Sequence, residues 1–404
     1  MKKSLIIVAM LATLTANVNA VENGFNKSYK TKDIEERYTE NPYALFVRAS
    51  KIMDEKNPNY KKALQLFEKS SGLGIAEASH NAGYIYYNGL GSIEKDIKKA
   101  ASFFLSSAQR GIVDSQMMLG QMFVDGSGLQ VNAEQAYKWF YKAANSGVLE
   151  AKYYIANMIF HGKGTSMDSD LGLKILEEVA EETQNRKIFF ELGEIHRRGV
   201  NSPKDYHLAL INHEKAANLG FSKSQKITGD LYRYGRGDKA NNEKALYWYT
   251  KAALLNNVES MPLVGEMHLY GNGTKKDVME AEKWFEKGAK NSNSESLYNL
   301  ASLYMKNEHG VDPDYSKAIG FYHKAVNVGN KEAIRELAVI YRKGIDGVLE
   351  PDTFTYTDLM NLYYKEGDNK KVEKFNMFTF KDDQDVELEK QKIFHKGDFE
   401  KYLK

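Results

Sequence analysis

The feature that most constrains this chain is a pattern that returns every thirty-six or thirty-seven residues over most of its length. Ala82-Gly83-x-x-Tyr86-x-x-Gly89-x-Gly91 recurs as Leu119-Gly120-x-x-Phe123-x-x-Gly126-x-Gly128, and further copies start at Ile155, Leu192, Thr228, Val264, Leu300 and Leu337. Four residues before each pair stands a small side chain (Ala78, Ser115, Ala151, Ser224, Ser260, Ser296 and Ala333), with Ile188 the exception. A second block follows. Asn132-x-x-Gln135-Ala136-x-x-Trp139-Phe140-x-Lys142-Ala143-Ala144 matches blocks opened by Asn59, Asp96, Asp168, Asp205, Asn241, Asp277 and Asp314, and all three tryptophans fall in it at one register. A chain with such a period is built from stacked units, each unable to bury its apolar face alone.

Each unit reads as two antiparallel helices. In the first, the small residue, the Leu or Ala four later and the aromatic four beyond line one face. Glycine inside that helix costs propensity, which close approach of a neighbouring helix explains. The Gly-x-Gly element supplies the left-handed residue that stops a helix. The Asp or Asn that opens the second block is an N-cap. Alanine and aromatic positions then recur at i, i+3, i+4, i+7 and i+8 as a broad apolar face.

The combined pattern A-x-x-x-L-G-x-x-Y-x-x-G-x-G-(loop)-D-x-x-K-A-x-x-W-Y-x-K-A-A resembles the Sel-one-like repeat (SLR), a relative of the tetratricopeptide repeat (TPR). The likeness runs over about residues 59–350. It implies an all-α fold, a right-handed superhelical α/α solenoid of antiparallel helix pairs, used for protein–protein assembly. Two copies depart from the pattern. Leu171-Gly172-x-x-Ile175-Leu176 lacks the aromatic pair, and the next copy carries His196 and Asn212-His213 where aromatics belong, so looser or bent packing is expected around residues 165–215.

Outside the array, residues 1–20 read as a signal peptide. Lys2 and Lys3 precede an apolar stretch from Leu5 to Leu14 that is too short to span a bilayer, and Val18-Asn19-Ala20 suits cleavage near Ala20. Residues 21–58 are assigned to an N-terminal segment with a capping helix. Residues 351–404 are assigned to a C-terminal capping helix and a charged tail, of which about 368–404 adds a short helix or stays without one. The complete lack of cysteine excludes disulfides, thiolate metal sites, thiol nucleophiles and a cysteine-linked lipid. A net charge of +2 gives no general argument for nucleic acid as a partner. The reading is a periplasmic or secreted protein with no transmembrane anchor.

No catalytic constellation emerges, and no cofactor or metal is expected. The histidines lack His-x-x-x-His spacing, and the acidic run Asp382 to Glu389 lacks the glycine of a calcium loop. Arg236-Gly237-Asp238 has the letters of an integrin-binding tripeptide, but its glycine belongs to the repeating helix stop. What remains is a stripe on the first helices opposite the stacking positions, at repeat positions three, seven and ten. In solenoids of this kind the first helices line the concave surface. The stripe predicts a protein-binding groove with an aromatic half (Tyr84, Tyr87, Tyr153, Phe160 and Phe190) and a charged half (Arg197, Arg233, Arg335 and Arg342), with Tyr298 toward its end. Burial between neighbouring helices is the competing reading of the same positions. The expected role is a scaffold for a protein partner: an effector toxin such as a phospholipase, which it would neutralise as an immunity protein, an envelope signalling receptor, or an assembly component. A secreted virulence factor binding a host receptor or antibody, and an accessory to a cell-envelope enzyme, are the alternatives.

Overall fold

A computed structural model of the chain describes residues 41–306 and 309–365. The leader at 1–20, the segment before residue 41 and the charged tail at 368–404 lie outside the described residues, as does the acidic run Asp382 to Glu389. The described residues form eighteen helices, with no strand beyond an isolated bridge between Ile345 and Leu349. No helix among them is long and apolar enough to cross a membrane.

The chain divides into two compact bodies, with the division between Ile175 and Leu176. The first body contains α1 (Pro42–Met53), α2 (Tyr60–Gly72), α3 (Ala76–Asn88), α4 (Ile97–Gln109), α5 (Val113–Asp125), α6 (Ala133–Asn145) and α7 (Leu149–His161). Helix α8 (Ser169–Thr183) begins there and carries the division. The second body continues with α9 (Arg186–Arg198), α10 (Tyr206–Asn218), α11 (Ser222–Arg233), α12 (Asn242–Leu254), α13 (Ser260–Tyr270) and α14 (Val278–Lys290). It ends with α15 (Ser294–Met305), α16 (Tyr315–Asn327), α17 (Lys331–Lys343) and α18 (Thr353–Lys365). Within each body, sequence neighbours pack pairwise as solenoid repeats, a first helix against a second.

Three local devices recur among the repeats. At the start of the second helix the Asn or Asp side chain accepts from the backbone N–H three residues on, as in Asp96 to Lys99 (2.9 Å), Asn132 to Gln135 (3.0 Å) and Asp277 to Glu280 (2.9 Å). The backbone N–H of the same cap residue donates back to the preceding first helix: Asp96 to the Tyr86 carbonyl, Asn241 to Tyr232 and Asp277 to His268, at 2.8–2.9 Å. One residue thus caps a helix and closes the loop behind it.

The second device is the mid-helix glycine. A Cβ on Gly265 would fall 2.4 Å from the Phe285 ring, one on Gly120 2.5 Å from Phe140, and one on Gly229 2.6 Å from Tyr249. These rings are fully buried, as are the small residues Ala78, Ser115, Ser224 and Ser260. Bare backbone lets the ring lie flat on the first helix, and dispersion over that contact replaces the lost propensity. The tryptophan beside each ring is roofed by the lysine three residues on: Lys142 over Trp139 at 4.2 Å and Lys287 over Trp284 at 3.9 Å. In the two divergent copies the ring's place is taken by Leu176 and His213, and both are completely buried.

The third device is the Gly-x-Gly loop, and here the structure adds to the sequence reading. The first glycine is the left-handed helix stop, as at Gly271 (φ 73°). The second glycine does something else. It presses on the first residue of the previous repeat's second helix, so that a Cβ on Gly273 would fall 2.3 Å from the Asn242 carbonyl oxygen. Gly237 meets the Tyr206 carbonyl oxygen at 2.1 Å and Gly164 that of Ala133 at 2.1 Å in the same way. Because the obstacle is backbone, it cannot swing aside. Gly273→Ala should destabilise the protein by about 2–4 kcal/mol, combining strain at positive φ with a backbone clash. Gly271→Asn, which needs only the left-handed conformation, should cost less than about 1 kcal/mol. Urea denaturation of both variants checks the difference.

Candidate protein-binding face

Repeat positions one, five and six are consumed by stacking, and positions seven and ten are what the first helices have left. In the first body these positions are mostly packed. Phe160 is completely buried and Tyr84 nearly so, at 8% exposure, so neither presents its ring to a partner. This corrects the sequence reading of those two residues. Phe160 supports the start of α8, where a Cβ on Gly172 would fall 2.7 Å from its own Cβ. Tyr87 and Tyr153 are half-buried; Tyr87 lies edge-on to Phe104 with Lys95 over its ring, and Tyr153 lies against Tyr154.

The second body places charge at the same positions. Glu194, on α9, is buried, and its carboxylate accepts from Arg197 Nε at 2.7 Å, Arg197 Nη2 at 2.8 Å and Arg198 Nε at 2.7 Å. His213 Nε2 lies 3.4 Å from the same carboxylate, and its Nδ1 lies 3.4 Å from Ser224 Oγ. Burial opposes ionisation of Glu194, but hydrogen bonds from Arg197 and His213 and the charge of Arg197 outweigh it and hold the carboxyl well below its usual range. One repeat on, Asp230 accepts from the Tyr249 hydroxyl at 2.8 Å and pairs with Lys226 at 2.9 Å.

Within a repeat, position seven thus meets the residue in the ring's place on the second helix, its slot: Asp230 accepts from Tyr249 at 2.8 Å and Glu194 lies 3.4 Å from His213. Where the slot is Phe285, which offers no polar atom, Glu266 turns across repeats instead. Its carboxylate lies 3.5 Å from Arg233 Nη2 on α11 and 3.5 Å from Asn299 Nδ2 on α15. The side chains of Arg197 and Arg233 are 33% and 27% exposed, so the ladder is held in place yet open to solvent.

The remaining predicted residues fall differently. Phe190 is half-buried between His213 and Phe221, and Tyr298 is half-buried against Tyr322. Arg335 is exposed and paired with Glu336 at 3.1 Å. Arg342 is exposed with its guanidinium over Tyr356 of α18, outside the ladder. Toward α17 the face turns acidic. Glu295 is pushed above its ordinary value by burial and by the nearby charges of Glu266 and Glu332. Sequence reasoning missed Glu194, Asp230 and Glu266 as the organising groups, because it chose residues for their type at interfaces and ignored the slot each one faces.

Burial depresses the affinity of His213 for a proton, and the Glu194 carboxylate only partly restores it; His161, His196 and His323 are likewise depressed by burial. The unfolded chain takes up these protons at the ordinary value near 6.5, so it binds more protons than the folded chain as pH falls below that point. Stability should be level near neutral pH and decline between pH 6.5 and 5. The Glu194 contribution has the same sign in a lower window, lost as pH falls below the ordinary carboxyl value of 4.5. His213→Phe restores the ring found in other repeats and should flatten the pH 7-to-5 part of the curve, read by urea denaturation at each pH.

The family model for the Sel1 repeat matches nine segments: 54–75, 76–112, 113–148, 149–182, 190–221, 222–257, 258–293, 294–330 and 331–353. Among solved structures, a protective antigen of uropathogenic Escherichia coli with an SLR fold superposes with TM-score 0.61 at 24% identity. That match covers 76% of this chain and 64% of the antigen, so the chain spans less than two thirds of it. A Sel1 repeat protein from Oxalobacter formigenes gives TM-score 0.61 at 22% identity, covering 80% of this chain and 90% of that one. An immunity protein from Pseudomonas aeruginosa matches at 21% identity over 55% of this chain and 83% of its own, with TM-score 0.35, too low to bear on function. No curated protein sequence matches the chain.

Proposed function

Because the chain belongs to the Sel1 repeat family, we propose that it is a scaffold that binds a partner protein through the first-helix face of its second body. The observation that carries this is the ladder Glu194–Arg197, Asp230–Lys226 and Arg233–Glu266. Glu194 and Asp230 lie against His213 and Tyr249 of the core, but the cations Arg197, Lys226 and Arg233 reach solvent with their side chains held in place by hydrogen bonds and ion pairs. A charge fixed before binding loses little entropy on binding, and arginine is among the residues enriched in interface hot spots. The leader pattern at 1–20 supports an exported protein, so the partner is one met in the envelope or beyond it. Capture of a toxic effector, restraint of a signalling receptor and assembly of an envelope machine are the envelope roles that fit this reading.

Tagged protein, captured separately from periplasmic and extracellular fractions, tests the reading when its face is altered. Arg233→Glu with Arg335→Glu should weaken a stoichiometric partner by at least about tenfold, or 1.4 kcal/mol. Lys283→Glu with Lys290→Glu on α14 should leave it bound. Equal loss in both variants, or in neither, sinks the face as the binding surface. A partner found only in extracellular material favours the host-facing alternative.

A further inference from the structure

The ladder explains charges on the first helices of the second body, but Arg236 stands outside it. Arg236 follows α11, in the loop whose second glycine presses on the Tyr206 carbonyl. Its Cζ lies 5.6 Å from the Tyr206 ring centroid and 5.8 Å from that of Tyr234. Among the described residues it has no carboxylate partner. The neighbouring Asp238 does not neutralise it. That carboxylate accepts from the Lys239 backbone N–H at 2.7 Å and lies 4.0 Å from Lys244 Nζ. The tripeptide Arg236-Gly237-Asp238 is thus not presented as a unit, because its acid is turned back into the loop.

Arg236 is also held still. Gly237 has φ 90° and leaves no room for a Cβ against Tyr206, and its carbonyl lies 3.0 Å from His207 Nδ1. The loop tip is therefore pinned to the start of α10. Arg233 stacks on the other partner, with its Cζ 5.9 Å from the Tyr234 ring. The four side chains form one strip in the order Tyr206, Arg236, Tyr234, Arg233. Tyr234 is 62% exposed and Arg236 is exposed. Arg233 already faces Glu266, so the unanswered charge of the strip is on Arg236.

We infer that this arginine–tyrosine strip is the docking site for an acidic segment of the partner protein, with a partner carboxylate seated on Arg236. The inference rests on the scaffold reading above and names the chemistry of what that scaffold holds. Charge complementarity selects the occupant: an excess cation between aromatic rings calls for an anion on a chain that can lay its methylene groups on those rings.

Fluorescence anisotropy on the full chain tests this with labelled oligo-glutamate, labelled oligo-lysine and phosphatidylglycerol vesicles. Oligo-glutamate should bind, weaken as salt rises, and lose at least about tenfold in affinity in Arg236→Glu. Tyr234→Ala, at an exposed position, should weaken it severalfold while circular dichroism stays unchanged. Equal binding of oligo-glutamate to the wild type and Arg236→Glu overturns the proposal, as does equal binding of oligo-lysine. Vesicle binding that is tighter and depends on Arg236 also overturns it, assigning the strip to a lipid surface. A captured partner lost in Arg233→Glu/Arg335→Glu but retained by Arg236→Glu overturns this inference and leaves the scaffold reading standing. No partner on capture, with Arg236-dependent oligo-glutamate binding intact, supports the strip and counts against the scaffold reading alone.

Discussion

Much of this fold follows from a ring lying on bare backbone. When Phe285 rests on Gly265, or Phe140 on Gly120, the two helices of a repeat come closer than any Cβ at the glycine position would permit. The approach fixes which side of the first helix faces its partner, and with it which side does not. Small residues at position one, such as Ser224 and Ser260, are buried for the same reason: the stack leaves no volume there. The lysine over each tryptophan then roofs the outer edge of the contact, so that a single heptad-like block supplies ring, small residue and cover.

That constraint also decides where polar chemistry can be stored. The slot ring is the one large group that reaches from the second helix to the first, and position seven of the first helix lies beside it. Filling the slot with tyrosine or histidine instead of phenylalanine puts a polar atom in a buried place, which is costly unless it is answered. Asp230 answers Tyr249 with a hydrogen bond, and Glu194 lies 3.4 Å from His213. A carboxylate buried in this way needs cations of its own, and Arg197 and Arg198 supply them. The charged face of the second body is therefore a consequence of the core beneath it: change the slot residue and the surface charge pattern must change.

The fold was legible because a repeat shows every structural requirement many times. An N-cap seen at Asp96, Asn132, Asn241 and Asp277 at one register cannot be chance, and the same holds for the glycine and the ring. The charged face was legible only by subtraction, which finds positions left over but not what each one touches. Phe160 and Tyr84 share positions ten and seven with Arg197 and Glu194, and their rings turn inward, because an aromatic side chain gains from burial what a guanidinium would lose. Subtraction treats both as surface. Position alone therefore misplaces Phe160 and Tyr84, because it does not show what each ring touches.

The second glycine of the loop was readable as a letter but not as a function. As a helix stop it is redundant, since the first glycine already ends the helix. Its purpose appears only when the preceding repeat is in place and the Tyr206 or Asn242 carbonyl is seen against it. This contact joins one repeat to the next through backbone alone, so it is indifferent to the side chains around it. The loop residue between the two glycines is consequently free to vary without loosening the stack: Lys163, Arg236 and Asn272 all occupy that position. A position that is rigid in backbone and unconstrained in side chain is where a repeat protein can change what it binds while keeping how it folds. In the second body that freedom has placed Arg236 between two tyrosines and left its charge unanswered.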